Sequence, residues 1–188
     1  MVDIRPNQRE GSHPAASVGR VPGPRLIAIL LLAIAVRAYR IGEPYGGFLG
    51  FNEAFYADHA RAYLDRPLIE LFTRPLDFNN PPLFTLLLRE SFALFGISEA
   101  AARMIPLAAS VATVAVAGQL AASLLGRATG TITALLLAVS PAFVLLGRNV
   151  QVDMVALFFA LAFLHAYVRG AQAERPMLKL VAGLLLGL

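Results

Sequence analysis

Apolar residues run along this chain in long blocks separated by short polar joints. Blocks of that length and composition are the pattern of helices that cross a bilayer. The first covers residues 25–42, with an unbroken core from Leu26 to Val36. Further blocks cover 103–125, 128–146 and 152–168. A fifth, 177–188, reaches only about 18 Å at 1.5 Å per residue and is incomplete as a span. The predicted fold is all-α, a polytopic transmembrane helix bundle with interfacial helices in a long first external loop, 43–102. Residues 1–23 are rich in Pro, Gly and Ser and are expected to form a disordered tail. Residues 24–188 form the membrane module.

Two stretches of the long loop carry helical signals of their own. Asn52 can cap a short helix running to Asp65, with Phe55, Tyr56, Ala60, Tyr63 and Leu64 on one face. Leu83–Gly96 is apolar, but about 14 residues reach roughly 21 Å against about 30 Å of hydrocarbon. Arg89 and Glu90 sit in its middle, where a charge costs about 2.5–3.5 kcal/mol on insertion scales. The stretch is therefore expected to lie in the interface.

Composition sharpens this picture. Hydrophobic residues make up 57% of the chain and charged ones 15%, against about 25% charged in soluble domains. The net charge of +4 comes from basic residues at block ends, which reads as membrane orientation and not nucleic-acid binding. Arg5, Arg9, Arg20 and Arg25 place the N-terminus in the cytoplasm of a multi-pass cell-membrane protein. The loop 43–102 and the joint Arg148–Asp153 then share the outer side. There is no Cys, which excludes disulfides and thiolate chemistry. Walker, GxGxxG and HExxH motifs are absent as well.

The candidate chemistry gathers at outer helix ends. Glu53 can act as a general base, a metal ligand or a charge on the helix dipole. Asp153 lies at the end of an apolar helix, where an ionisable group marks a functional site or pairs with Arg148. Arg37, Arg40, Arg103 and Arg148 suit a phosphate gripped by guanidinium groups, or snorkel individually. His59 and Tyr56 are candidates for substrate contact, and His165 reads as a hydrogen-bonded packing residue.

Four stretches in order resemble the N-terminal part of the GT-C membrane glycosyltransferases, in the protein O-mannosyltransferase and lipid A aminoarabinose transferase branch. They are Phe51-Asn52-Glu53-Ala54-Phe55-Tyr56, Asn79-Asn80-Pro81-Pro82-Leu83, Phe95-Gly96 through Ile105-Pro106, and Ser140-Pro141 with Gly147-Arg148 and Asp153. The resemblance implies a polyprenyl-phosphate-linked sugar donor, a protein, lipid or glycan acceptor, and inverting transfer on the outer face. It implies catalytic roles for Glu53, Asp153 and Asn52, and substrate contacts from Arg148, Tyr56, His59, Asn80 and Arg103. Asn52 stands where the family has Asp, and an amide is no base. Asn80 likewise replaces a cationic residue. No cofactor is assigned, and a divalent metal stays open. The chain is shorter than members of that branch, so it is expected to be an N-terminal module. The alternative is an inactive binding or assembly subunit of the same fold.

The absence of native Cys gives a direct test of topology. Ala54→Cys and Gln151→Cys should both react with a membrane-impermeant thiol reagent on intact cells. Labelling at Ala54 alone would mean that Leu83–Gly96 crosses the membrane.

Overall fold

The computed structural model describes residues 19–47, 49–73 and 82–186. Among the described residues every regular element is helical. Helices α1 (Gly23–Ala38), α2 (Gly50–Ala62), α3 (Glu70–Thr73) and α4 (Pro82–Phe95) precede the long α5 (Glu99–Leu125). They are followed by α6 (Arg127–Val139), α7 (Pro141–Leu146), α8 (Asp153–Gln172) and α9 (Pro176–Leu186). Two of these, α5 and α8, are long and apolar enough to cross a membrane. The chain is an all-α membrane bundle.

Hydrogen bonds at the helix ends fix the directions. Val21 N–H, just before α1, donates to Gln119 Oε1 near the end of α5 at 3.2 Å. Gln172 at the end of α8 donates to the Ser123 carbonyl at 3.3 Å. Beyond the other end of α1, the Arg148 guanidinium donates to the Tyr39 carbonyl. Helices α1 and α6 therefore run one way, and α5 and α8 the other. The long loop and the 147–152 joint meet at one end of the bundle.

Small residues allow α5 and α6 to approach. A Cβ on Gly130 would fall 2.5 Å from the Ala122 Cβ and 2.5 Å from the Gly118 carbonyl oxygen. With Ala134 and Ala138, both 0% exposed, they form a small-residue seam of the kind that lets membrane helices touch backbone to backbone. The seam continues into a core of Ile29, Ala33, Val114, Phe143 and Met154. A second core joins α4 to its neighbours. Phe84, Leu88 and Phe92, spaced one turn apart, pack on Ala57 and Ala60 of α2 and Ala101 and Ala102 of α5.

The expected single span 128–146 is two helices. Pro141 has no N–H to give to the carbonyl of residue 137, so the helix cannot run through it. Arg37 repairs the break. It is 0% exposed and donates to Leu137 O at 3.1 Å, Ala138 O at 2.9 Å and Ala33 O at 3.0 Å. Its Nε reaches Ser110 Oγ, and Phe143 lies under the guanidinium at 5.4 Å. Arg37 is thus the cap of α6 and not a member of a phosphate-binding cluster.

Four other expectations change. Asn52 is not an N-cap, because α2 already starts at Gly50 and makes no side-chain cap bond. Helix α5 starts at Glu99, capped by Ser98 Oγ accepting from Ala101 N–H at 3.2 Å. Of the tail expected to be disordered, residues 19–22 lie against α5, with Val21 only 3% exposed; residues 1–18 fall outside the described residues. Gln151 is buried, so half-exposed Asn149 is the better cysteine position in that joint.

Removing the cap should be costly. Arg37→Met leaves the Leu137 and Ala138 carbonyls buried without donors and should destabilise the bundle by about 2–4 kcal/mol. Arg40→Met, at an exposed position, should change little. Unfolding midpoints in mild detergent measure both, and equal midpoints would refute the capping role.

Candidate active site

Glu53 is set in the first turn of α2 and is 0% exposed. Its two oxygens are both engaged. Oε1 accepts from Arg103 Nε at 2.9 Å and from Val150 N–H at 3.1 Å, and Oε2 accepts from Arg103 Nη2 at 3.0 Å. Arg103 in turn donates through Nη1 to the Ile41 carbonyl at 3.0 Å and to the Glu43 carbonyl. The guanidinium lies over the Tyr45 ring at 5.2 Å. One ion pair thus joins α2, the start of α5, the 41–45 turn and the joint before α8. A buried pair survives desolvation only with this degree of hydrogen bonding. Burial pushes the Tyr45 phenol up to about 12, with Glu53 and Glu99 raising it and Arg103 opposing.

Over this pair opens a cleft of about 660 Å³. Arg40, Glu43, Pro141 and Arg148 are among its walls, with Glu53 and Arg103 at its base. Arg40 is taken up by Glu43 in an exposed pair. Arg103 has four of its five N–H directions used. Arg148 spends Nη2 on the Tyr39 carbonyl and keeps Nε and Nη1 for the cleft. It does not pair with Asp153.

Asp153 opens α8, exposed and without an ion-pair partner among the described residues. Its neighbour is Tyr56, whose phenol is raised first by burial and then by the Asp153 charge. Tyr56 packs edge-on against Phe84 at 5.2 Å. Asn52 is exposed, one turn before Tyr56 on α2. The 147–153 joint therefore crosses over Glu53, with Arg148 facing the cleft and Asp153 beside Tyr56. His59 is tilted on Phe55 at 4.7 Å, half-buried, with Nε2 unpaired. A separate cavity of about 550 Å³ runs past Phe51, Phe55, Asp58 and Glu99. Asn80 lies outside the described residues.

Glu53 thus anchors these segments, with both carboxylate oxygens engaged. Among the described residues no group of three or more acidic or His side chains is placed to hold a metal ion, so a divalent metal is assigned to none of them. Pairing of Glu53 with Arg103, fifty residues apart, left no local trace in the sequence. The one available hint was an arginine set inside an apolar helix start, where a charge needs a partner.

The family profile described as dolichyl-phosphate-mannose-protein mannosyltransferase matches residues 79–188, more than half of the chain. The chain belongs to this family. No curated protein and no solved structure gives a significant match. Membership makes this mannosyltransferase-family protein a membrane glycosyltransferase in general terms, as the sequence resemblance implied. The matched stretch contains Arg103, Arg148 and Asp153 of the site. Glu53, Asn52, Tyr56 and His59 of this mannosyltransferase-family chain precede it.

Breaking the anchor should unfold this end of the bundle. Glu53→Gln leaves Arg103 buried without its charge partner, with an expected loss of about 3–5 kcal/mol. Glu53→Gln combined with Arg103→Met should recover only the part due to the unpaired charge, because the Ile41 and Glu43 carbonyls then lose their donor. Denaturation in detergent checks both, and a wild-type midpoint for the single variant would rule the anchor out.

Proposed function

We propose that this protein transfers a sugar from a polyprenyl-phosphate-linked donor to an acceptor on the outer face of a cell membrane. The observation that supports this most is the cleft over Glu53–Arg103, where Arg148 keeps free guanidinium N–H groups. Such groups bind a phosphate oxygen bidentately and neutralise the charge that grows on a leaving phosphate. Asp153 is the exposed carboxylate on the same joint and is our candidate base. The acceptor hydroxyl gives its proton to Asp153 while its oxygen bonds to the anomeric carbon. The bond from that carbon to the phosphate oxygen breaks, and the phosphate keeps the electron pair. A single displacement of this kind inverts the anomeric centre.

Tyr56 lies beside Asp153 and would orient sugar or acceptor by a hydrogen bond, and Asn52, exposed one turn earlier on α2, is a further candidate contact. Glu53 and Arg103 act through position, because they hold the joint that carries both Arg148 and Asp153. His59 and Asn80 remain candidate substrate contacts. The acceptor is a protein, lipid or glycan bearing a hydroxyl or amine. A second reading, an assembly subunit without transfer activity, draws on the amide at Asn52 and the occupied oxygens of Glu53.

Transfer of label from a polyprenyl-phosphate sugar in membranes containing the chain tests the proposal. Asp153→Asn should lower kcat by about 10²–10⁴-fold, and Arg148→Gln should raise the KM for the donor. Full activity in Asp153→Asn would remove it as the base. No transfer by the wild-type chain would favour the assembly subunit.

A further inference from the structure

The opposite end of the bundle carries a second basic cavity, of about 250 Å³. Three segments build it. The first is the strap 19–22, held by Val21 N–H on Gln119 Oε1 at 3.2 Å. At Gly19 a Cβ would come within 2.4 Å of the Ala122 carbonyl oxygen, so the strap lies directly on α5 and carries Arg20 to the cavity. The second is α5, which contributes Gln119. The third is α8, which contributes His165 and Arg169, one turn apart on one face. The Gln172–Ser123 bond fastens α8 to α5 nearby.

The lining is rich in donors and holds no carboxylate. Arg20 and Arg169 have no ion-pair or hydrogen-bond partner among the described residues. Both are close enough to act electrostatically on the His165 ring. Nδ1 of that ring is buried without a partner, contrary to the hydrogen-bonded packing role expected of His165. The Gln119 oxygen is used by the strap, which leaves its amide N–H groups as donors. The dipole at the end of α8 accounts for Arg169 alone. It accounts neither for a second arginine brought in on a separate strap nor for the orphaned imidazole nitrogen. Two like charges around one cavity repel, and an anion between them reverses the sign of that interaction. The volume is about eight times the roughly 30 Å³ share of a water molecule, enough for a phosphate group.

We propose that this cavity binds a phosphate group, held by Arg20 and Arg169 with Gln119 and His165 as further contacts. The group belongs either to a phospholipid headgroup or to free phosphate. The site is separate from the Arg148 cleft and independent of the transfer reaction.

Calorimetric titration of the detergent-purified chain, free of phosphate, tests it with inorganic phosphate and with dihexanoyl phosphatidylglycerol. Saturable binding of inorganic phosphate assigns the site to the free ion. Binding of the lipid alone assigns it to a headgroup. In either case affinity should fall at least tenfold in Arg20→Gln and in Arg169→Gln and hold in Arg66→Gln, an exposed arginine that lines neither cavity. Binding of neither probe, or wild-type affinity in both cavity variants, overturns the proposal. The wild-type chain provides a second measurement that needs no substitution. Bound probe should slow carbethoxylation of His165 and leave that of His59 unchanged, and equal rates for His165 with and without probe overturn the proposal.

Discussion

The end of the bundle that carries the Arg148 cleft is organised by one buried ion pair, Glu53 with Arg103. Five hydrogen bonds converge on these two side chains from four segments. The same four segments also meet in the α4 core, through Ala57, Ala102, Val150 and Tyr45. The 41–45 turn and the 147–152 joint are irregular backbone, which needs donors and acceptors from elsewhere when it is buried. The pair supplies them, and in doing so it sets where Arg148 and Asp153 emerge. Its charge is therefore used for placement.

The rest of the bundle inverts the usual distribution of polarity. Ile27 and Leu31 of α1, Ile132 and Leu136 of α6, and Met177, Leu180 and Leu184 of α9 all face outward. Arg37, Ser110 and Thr113 are buried. Such a surface is unfavourable in water and suited to lipid, where contact between helices comes from close packing and interior polar bonds. The Gly118–Gly130 crossing and the Arg37 cap are the two devices that provide it. Thr113 meets its own need locally, donating to the Ala109 carbonyl at 2.8 Å.

Hydropathy blocks and lengths located the long helices, because length and composition are local properties. The short helix expected at Leu83–Gly96 is α4, which buries Phe84, Leu88 and Phe92 on one face. Local reading failed where a side chain finds its partner far along the chain. Arg37 looked like an interfacial arginine because its acceptors, Leu137 and Ala138, become available only when Pro141 interrupts a helix. The partners of Glu53 were not legible because Arg103 and Val150 lie fifty and ninety-seven residues away. Asn52 looked like a cap because the helix was expected to begin three residues later than it does. Arg148 and Asp153 were legible as ionisable groups at a helix end, whereas the Val150–Glu53 contact between them was not.

The Arg37 cap also bears on how the protein is made. Its acceptors on α6 lie 100 and 101 residues further along the chain. At about 5–20 residues per second of synthesis, they leave the ribosome roughly 5–20 seconds after Arg37 does. During that interval the Arg37 guanidinium has the Ala33 carbonyl of its own helix, and then Ser110 of α5, but lacks its two acceptors on α6. Settling of the first helix to its final depth is therefore coupled to the arrival of α6 and to the proline that frees its carbonyls. The biosynthetic order of this bundle is written into a single arginine.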